Sequence, residues 1–139
     1  MISRVLVPMD GSEMAEHALE FALENYPNAE ITVLTIVGEP SGMMGNAVGL
    51  ALEEDFEEAA NERAKKVHDR ARELAAEYDA DLDTVVAVGR PARAILNRAE
   101  DYDTVVIGSH SGSLADRLFV GNVAETVFRR SPVPVTTIR

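Results

Sequence analysis

The chain has 139 residues, 46% of them hydrophobic, enough for one domain (residues 1–139) with a full core and too apolar for a disordered segment. It has no cysteine, which excludes disulfides, thiolate catalysis and cysteine-based zinc or iron–sulfur sites. A formal charge of -11 repels nucleic acid and anionic membrane, so neither is an expected partner.

Residues 2–9 form a short apolar run ended by Asp10-Gly11. Rich in valine and without strict alternation, the run predicts a strand covered on both faces. From residue 13 to 26, Ala15, Ala18, Leu19, Ala22 and Leu23 recur at helical spacing, with Ser12 available as N-cap. Pro27-Asn28 stops this helix, and the β-branched residues 30–37 predict a second core strand closed by Gly38 and Pro40.

Three glycines within residues 41–52 predict a loop, either a lid or a plain connector. A long helix is expected from about residue 53 to 79, with Phe56, Ala60, Ala64, Val67, Ala71, Leu74 and Tyr78 on one stripe. Its other face carries Glu57, Glu58, Glu62, Arg63, Lys66 and Glu73, a solvated surface rather than a binding patch. Residues 82–88 give a third strand. A helix with Pro91 at its first position follows, with Ile95, Leu96 and Ala99 inward. The fourth strand is residues 104–107. A glycine- and serine-rich segment then leads to a helix starting near Gly121 that turns Val123, Ala124, Val127 and Phe128 to the core. Residues 133–138 form the fifth strand, which Pro132 and Pro134 confine to a sheet edge.

Strands alternating with helical crossovers demand parallel, right-handed connections and helices on both faces. The predicted fold is therefore α/β, a doubly wound five-stranded parallel sheet. Its order 3-2-1-4-5 sets strands one and four side by side at the switch point, where their C-terminal ends open a crevice.

Residues 108–122, GSHSGSLADRLFVGN, concentrate backbone donors, the hydroxyls of Ser109, Ser111 and Ser113, and a helix start at Gly121-Asn122. That combination suits phosphate. It equally suits an ordinary turn, with Asn122 and Glu125 spaced as a capping box that competes for the same donors. Gly108 leaves the fourth strand where bulk would obstruct a close ligand. Asp10, across the crevice, is placed to hold a ribose hydroxyl or a metal ion beside phosphates, or else simply forms an Asp-Gly turn. Neither GxGxxG nor GxxxxGK[ST] occurs, which excludes an ordinary dinucleotide oxidoreductase or P-loop ATPase. His17 and His68 lie on separate helices without a second ligand at helical spacing. His110 is either a ligand contact or a turn-stabilising residue, and no catalytic triad or paired acid/base is legible.

VLVPMDGS in residues 5–12, the Gly89-Arg90-Pro91 turn and GSHSGSLADRLFVGNVAETVFRRSPVPV in residues 108–135 together resemble the universal stress protein family. The resemblance covers essentially the whole chain and implies the same five-stranded fold. It also implies that ATP, ADP or AMP is bound, with Mg²⁺ alongside the nucleotide. Contacts would fall on Pro8, Asp10 and the backbone around Ile36 for the nucleoside. For the phosphates they would fall on Gly108, Ser109, His110, Ser111, Ser113, Gly121, Asn122 and Val123. The family pattern G-x-x-G, nine residues, then G-S or G-T falls on Gly108, Ser111, Gly121 and Asn122, so its first and third positions match and its second and fourth do not. Ser111 adds a side chain where phosphates approach backbone, and Asn122 lacks a hydroxyl. The resemblance favours a nucleotide-binding stress-response or regulatory module over an enzyme, and a homodimer through residues 133–138. A nucleotide-free dimeric interaction protein and a slow Mg-dependent ATPase remain open, and the sequence specifies no other protein partner.

No apolar run approaches the roughly 18 residues of a membrane span, and no signal peptide opens the chain, so a cytoplasmic location is expected. The acidic surface has only two lysines, Lys65 and Lys66. It predicts a salt-adapted source, where screening suppresses self-repulsion.

Overall fold

Strands β1 (Arg4–Pro8), β2 (Glu30–Val37), β3 (Leu82–Val88), β4 (Thr104–Gly108) and β5 (Val135–Ile138) form one parallel sheet in the expected order, β3-β2-β1-β4-β5. A computed structural model describes residues 1–38, 46–109 and 123–139, with residues 46–56 described by their backbone alone. Helices α1 (Glu13–Asn25) and α2 (Asn46–Ala76) cover one face of the sheet. Helix α3 (Pro91–Ala99) and the helical residues 123–130 (α4) cover the other.

The central strands are sealed on both faces, which is why their sequences run apolar without alternation. Val5, Val7, Val33 and Val106 point toward α1 and α2, where they meet Ala18, Leu19, Val67 and Ala71. Leu6, Leu34, Val105 and Ile107 point the other way, onto Ile95, Ala99, Ala124 and Val127.

Local signals set most helix ends. Ser12 Oγ accepts from the Ala15 N–H at 3.2 Å, which makes it the N-cap of α1. Pro91 opens α3 at a position where no N–H is needed. Helix α2 ends in a Schellman turn: the Ala80 N–H donates to Ala75 C=O at 3.0 Å and the Asp79 N–H to Ala76 C=O at 3.1 Å. Asp79 takes the left-handed conformation that turn requires, with φ 53°. Arg70 ties α2 to α1 by a 2.6 Å hydrogen bond to Glu16 and also meets Glu73 at 3.1 Å.

Four expectations are corrected. The loop expected over 41–52 does not extend that far, because α2 already begins at Asn46; residues 41–45 lie outside the described residues. Of the three glycines only Gly49 falls inside the helix. Its cost of about 1 kcal/mol is offset by the good helix formers Ala47, Leu50, Ala51 and Leu52 around it. Tyr78 lies beyond the last turn of α2 and is exposed, donating its hydroxyl to Glu24 at 2.8 Å. Phe128 is 63% exposed, because one step past the buried Val127 rotates it about 100° around the helix axis, out of the core. The fifth strand starts at Val135 rather than 133, after Pro134 C=O has accepted from the Val105 N–H and the Thr104 hydroxyl.

Candidate functional site

The crevice between β1 and β4 is made by a clamp at one end and a proline at the other. At the start of the strands, Asp103 Oδ2 accepts from the backbone N–H groups of Ser3 (2.8 Å) and Arg4 (2.9 Å) and from the Ser3 hydroxyl (3.0 Å). These donors, the Ser3 and then the Arg4 backbone N–H foremost, hold its carboxyl below the usual range. The strands pair at Val5↔Thr104 and Leu6↔Val105, and their register extends no further.

The reason lies in backbone parity. In a parallel strand the N–H and C=O of one residue point to the same neighbour. Met9 donates to Leu34 C=O at 2.9 Å, toward β2, whereas Arg4 C=O accepts from the Asp103 N–H at 2.8 Å, toward β4. Odd residues of β1 therefore face β2 and even residues face β4. Pro8 is even, so its missing N–H is a donor withheld from β4 at the place where the strands part.

The same parity orients Ile36. Leu34 C=O faces β1, so the N–H and C=O of Ile36 do too, yet β1 pairs with β2 only as far as Pro8↔Leu34, with the Met9 bond just beyond. Beyond that rung the chain turns away through Asp10-Gly11-Ser12 into α1. Gly11, at φ +84°, supplies the left-handed conformation of this turn. Asp10 Oδ1 accepts from the Ser12 N–H at 3.0 Å. The turn thus occupies one carboxylate oxygen of an exposed aspartate.

Two recesses open at this end of the sheet. A cavity of about 100 Å³ lies on the α3 side, walled mainly by apolar groups of Pro8, Ile36, Pro91, Ile95 and Val123, with Asp10 at its edge. A cleft of about 230 Å³ lies on the α2 side, lined by Asp10, Thr35, Ile36, Gly38, Ala60 and Arg63. Asp10 and Ile36 belong to both. A larger recess of about 690 Å³ sits at the opposite end of the strands, among Glu24, Tyr26, Asp79, Asp81 and Asp83. Switch-point geometry places ligands at the C-terminal ends of strands, so volume does not decide between them.

The residues expected at the site divide accordingly. Pro8, Asp10, Ile36, Gly108 and Val123 line one cavity. Ser109 extends β4, its N–H donating to Ile138 C=O at 2.7 Å. His110, Ser111, Ser113, Gly121 and Asn122 lie outside the described residues. Glu125, expected to reach back toward Asn122, meets Arg129 one turn ahead at 2.8 Å. Gly108 lines the cavity and also serves packing: a Cβ there would meet the backbone C and O of Met14 at 3.0 Å. Among the described residues, no three His, Asp or Glu side chains gather as a metal site. Arg63 and Thr35 line the α2-side cleft with no sequence signal that places them there. Arg63 reads as one charge of a solvated helix face, and nothing in sequence says that this face borders the end of β2.

The family model for the universal stress protein family matches residues 1–139. A universal stress protein of Bacillus subtilis, YxiE, is 32% identical over 148 residues, covering 100% of both chains. Among solved structures, the universal stress protein UspA of Lactobacillus plantarum superposes with a TM-score of 0.81 at 25% identity, covering 99% of this chain and 98% of that one. A universal stress protein solved in complex with cAMP superposes with a TM-score of 0.71 at 26% identity, covering 99% of this chain and 97% of that one.

Proposed function

This chain belongs to the universal stress protein family, and we propose that it is a stress-response regulator that binds an adenine nucleotide in the crevice between β1, β2 and β4. The observation that carries this reading is the outward-facing N–H and C=O of Ile36 beside an apolar cavity. Adenine presents an acceptor, N1, next to a donor, the N6 amino group, and this pair complements a backbone N–H and C=O on one strand edge. Asp10 at the rim supplies an acceptor for ribose hydroxyls, and Mg²⁺ accompanies the nucleotide when it carries more than one phosphate. The relative solved with cAMP supports the same ligand class.

Calorimetric titration with adenosine, AMP, ADP, ATP and cAMP, with GMP as control, tests the proposal. Adenine ligands are expected to saturate below millimolar concentration. GMP should bind at least tenfold more weakly, because its N1–H and O6 present the reversed pattern to Ile36. Equal binding of AMP and GMP would refute the assignment to Ile36. Absence of binding by every adenine ligand would leave the nucleotide-free interaction protein as the better account.

A further inference from the structure

The two edges of the sheet are built differently. Strand β5 is four residues long and follows Pro132 and Pro134, whereas β3 runs seven residues, LDTVVAV, with no proline and no charge after Asp83. Edge strands are ordinarily short, charged or interrupted by proline, because open backbone groups invite pairing. Val85 and Ala87 pack on the α3 side of the sheet and Leu82 on the other, so alternation puts Thr84, Val86 and Val88 on the α2 face. There Arg72 reaches Thr84, its Nη2 donating to Oγ1 at 3.0 Å. The two valines beyond stay open, Val86 43% exposed and Val88 65%.

Register decides which backbone groups of β3 are open. The Gly89 N–H donates to Val37 C=O at 3.0 Å, so odd residues of β3 face β2. The N–H and C=O of Leu82, Thr84, Val86 and Val88 therefore point away from the sheet, and among the described residues β3 pairs with no strand but β2. Charge divides along the same edge. Asp81 and Asp83 stand at its start and Arg90 and Arg93 just past its end, all exposed and none in an ion pair with another described residue.

We infer that this edge pairs antiparallel with the same edge of a second copy, about a two-fold axis at Val86. Val86 meets the partner's Val86 and Thr84 meets the partner's Val88, each a pair that exchanges two N–H···O bonds. The exposed valines of the two copies then cover one another on the α2 face. Antiparallel pairing also sets Asp81 and Asp83 of each copy beside the partner's Arg90 and Arg93, where parallel pairing would set like charges together. An edge acidic at one end and basic at the other is complementary to itself when reversed, which commits it to a second copy rather than to a strand of another protein. The contact is isologous and lies at the edge opposite β5, so a chain that used both edges would assemble beyond a dimer.

Sedimentation at one salt concentration tests this with Val86→Lys, Val135→Lys and the double variant. Val86 is exposed in the single chain, so Val86→Lys is expected to melt as wild type does, while pairing would bury an unpaired charge. Val86→Lys should sediment as a smaller species than wild type at the same concentration. Val135→Lys should remain a dimer held by β3, and adding Val86→Lys should make it a monomer. Val86→Lys sedimenting as wild type does, a monomeric Val135→Lys, or a double variant that still dimerises would each overturn the inference. Charge reversal tests the sense of pairing. Arg90→Glu should weaken association about fivefold, as expected when two exposed ion-pair contacts are lost by symmetry, and Asp83→Arg in the same chain should restore it. No change, or a loss without rescue, would overturn the antiparallel arrangement.

Discussion

Replacing Gly108 by alanine separates packing from ligand binding at the end of β4. Among the described residues only Gly11 and Gly89 are glycines with positive φ, so alanine meets no torsional objection at 108. The objection is steric. The added Cβ would stand 3.0 Å from the C, O and Cγ atoms of Met14. The Cγ belongs to a flexible side chain, but C and O are backbone in the first turn of α1, so the helix itself must shift. Overpacking of this kind costs about 1–3 kcal/mol. Stiffening of the unfolded chain by Gly→Ala returns about 0.4–1 kcal/mol, for a net loss of about 1–2 kcal/mol. At about 2.1 cal/mol/K per residue, unfolding 139 residues changes entropy by about 0.3 kcal/mol/K. The expected fall in Tm is therefore about 3–7 °C. Calorimetric melts of wild type and Gly108→Ala without nucleotide measure it. A variant that melts like wild type but fails to bind AMP would refute the reasoning and return Gly108 to a ligand role.

His68 on α2 is 7% exposed, its Nε2 has no partner among the described residues, and burial first, then the nearby Arg72, lowers its pKa below 6.5. The unfolded state then binds the proton more readily, so His68 supports folding above about pH 6.5 and loses that support as pH falls through its folded-state pKa. Urea melts should show wild type weakening between pH 7.5 and pH 5 more than His68→Leu does; parallel losses would remove His68 from the explanation. A protein with charge -11 should melt higher as KCl rises from about 0.1 to about 3 M, whereas a flat profile would mark an ordinary acidic protein. We also propose that the edge strand β5, where Val135, Thr136 and Ile138 are half-buried in the single chain, pairs with a second copy about a two-fold axis. Val135→Lys should dissociate that dimer in sedimentation at fixed salt; a wild-type monomer, or a dimer indifferent to the change, would rule the edge out.

Much of this molecule is determined by sequence alone, because its signals act over a few residues. Ser12 caps α1 through its own side chain, Pro91 starts α3 by the donor it lacks, and Pro134 bars β5 from the sheet interior. Alternation of strand and helix then leaves few parallel topologies, and the order 3-2-1-4-5 is one of them. Other features depend on which residues meet across the fold. Gly108 reads as room for a ligand, and only the packing of α1 shows that the same position must also clear Met14. Phe128 reads as core because its helix is amphipathic, but the phase of that stripe is fixed only by contact of Ala124 and Val127 with the sheet. Arg63 differs from its charged neighbours only in facing the end of β2. From sequence, the backbone of Ile36 is singled out only by the family resemblance, since backbone groups are the same in every residue. Only the register of β1 against β2 decides which of them the last rung leaves facing the crevice.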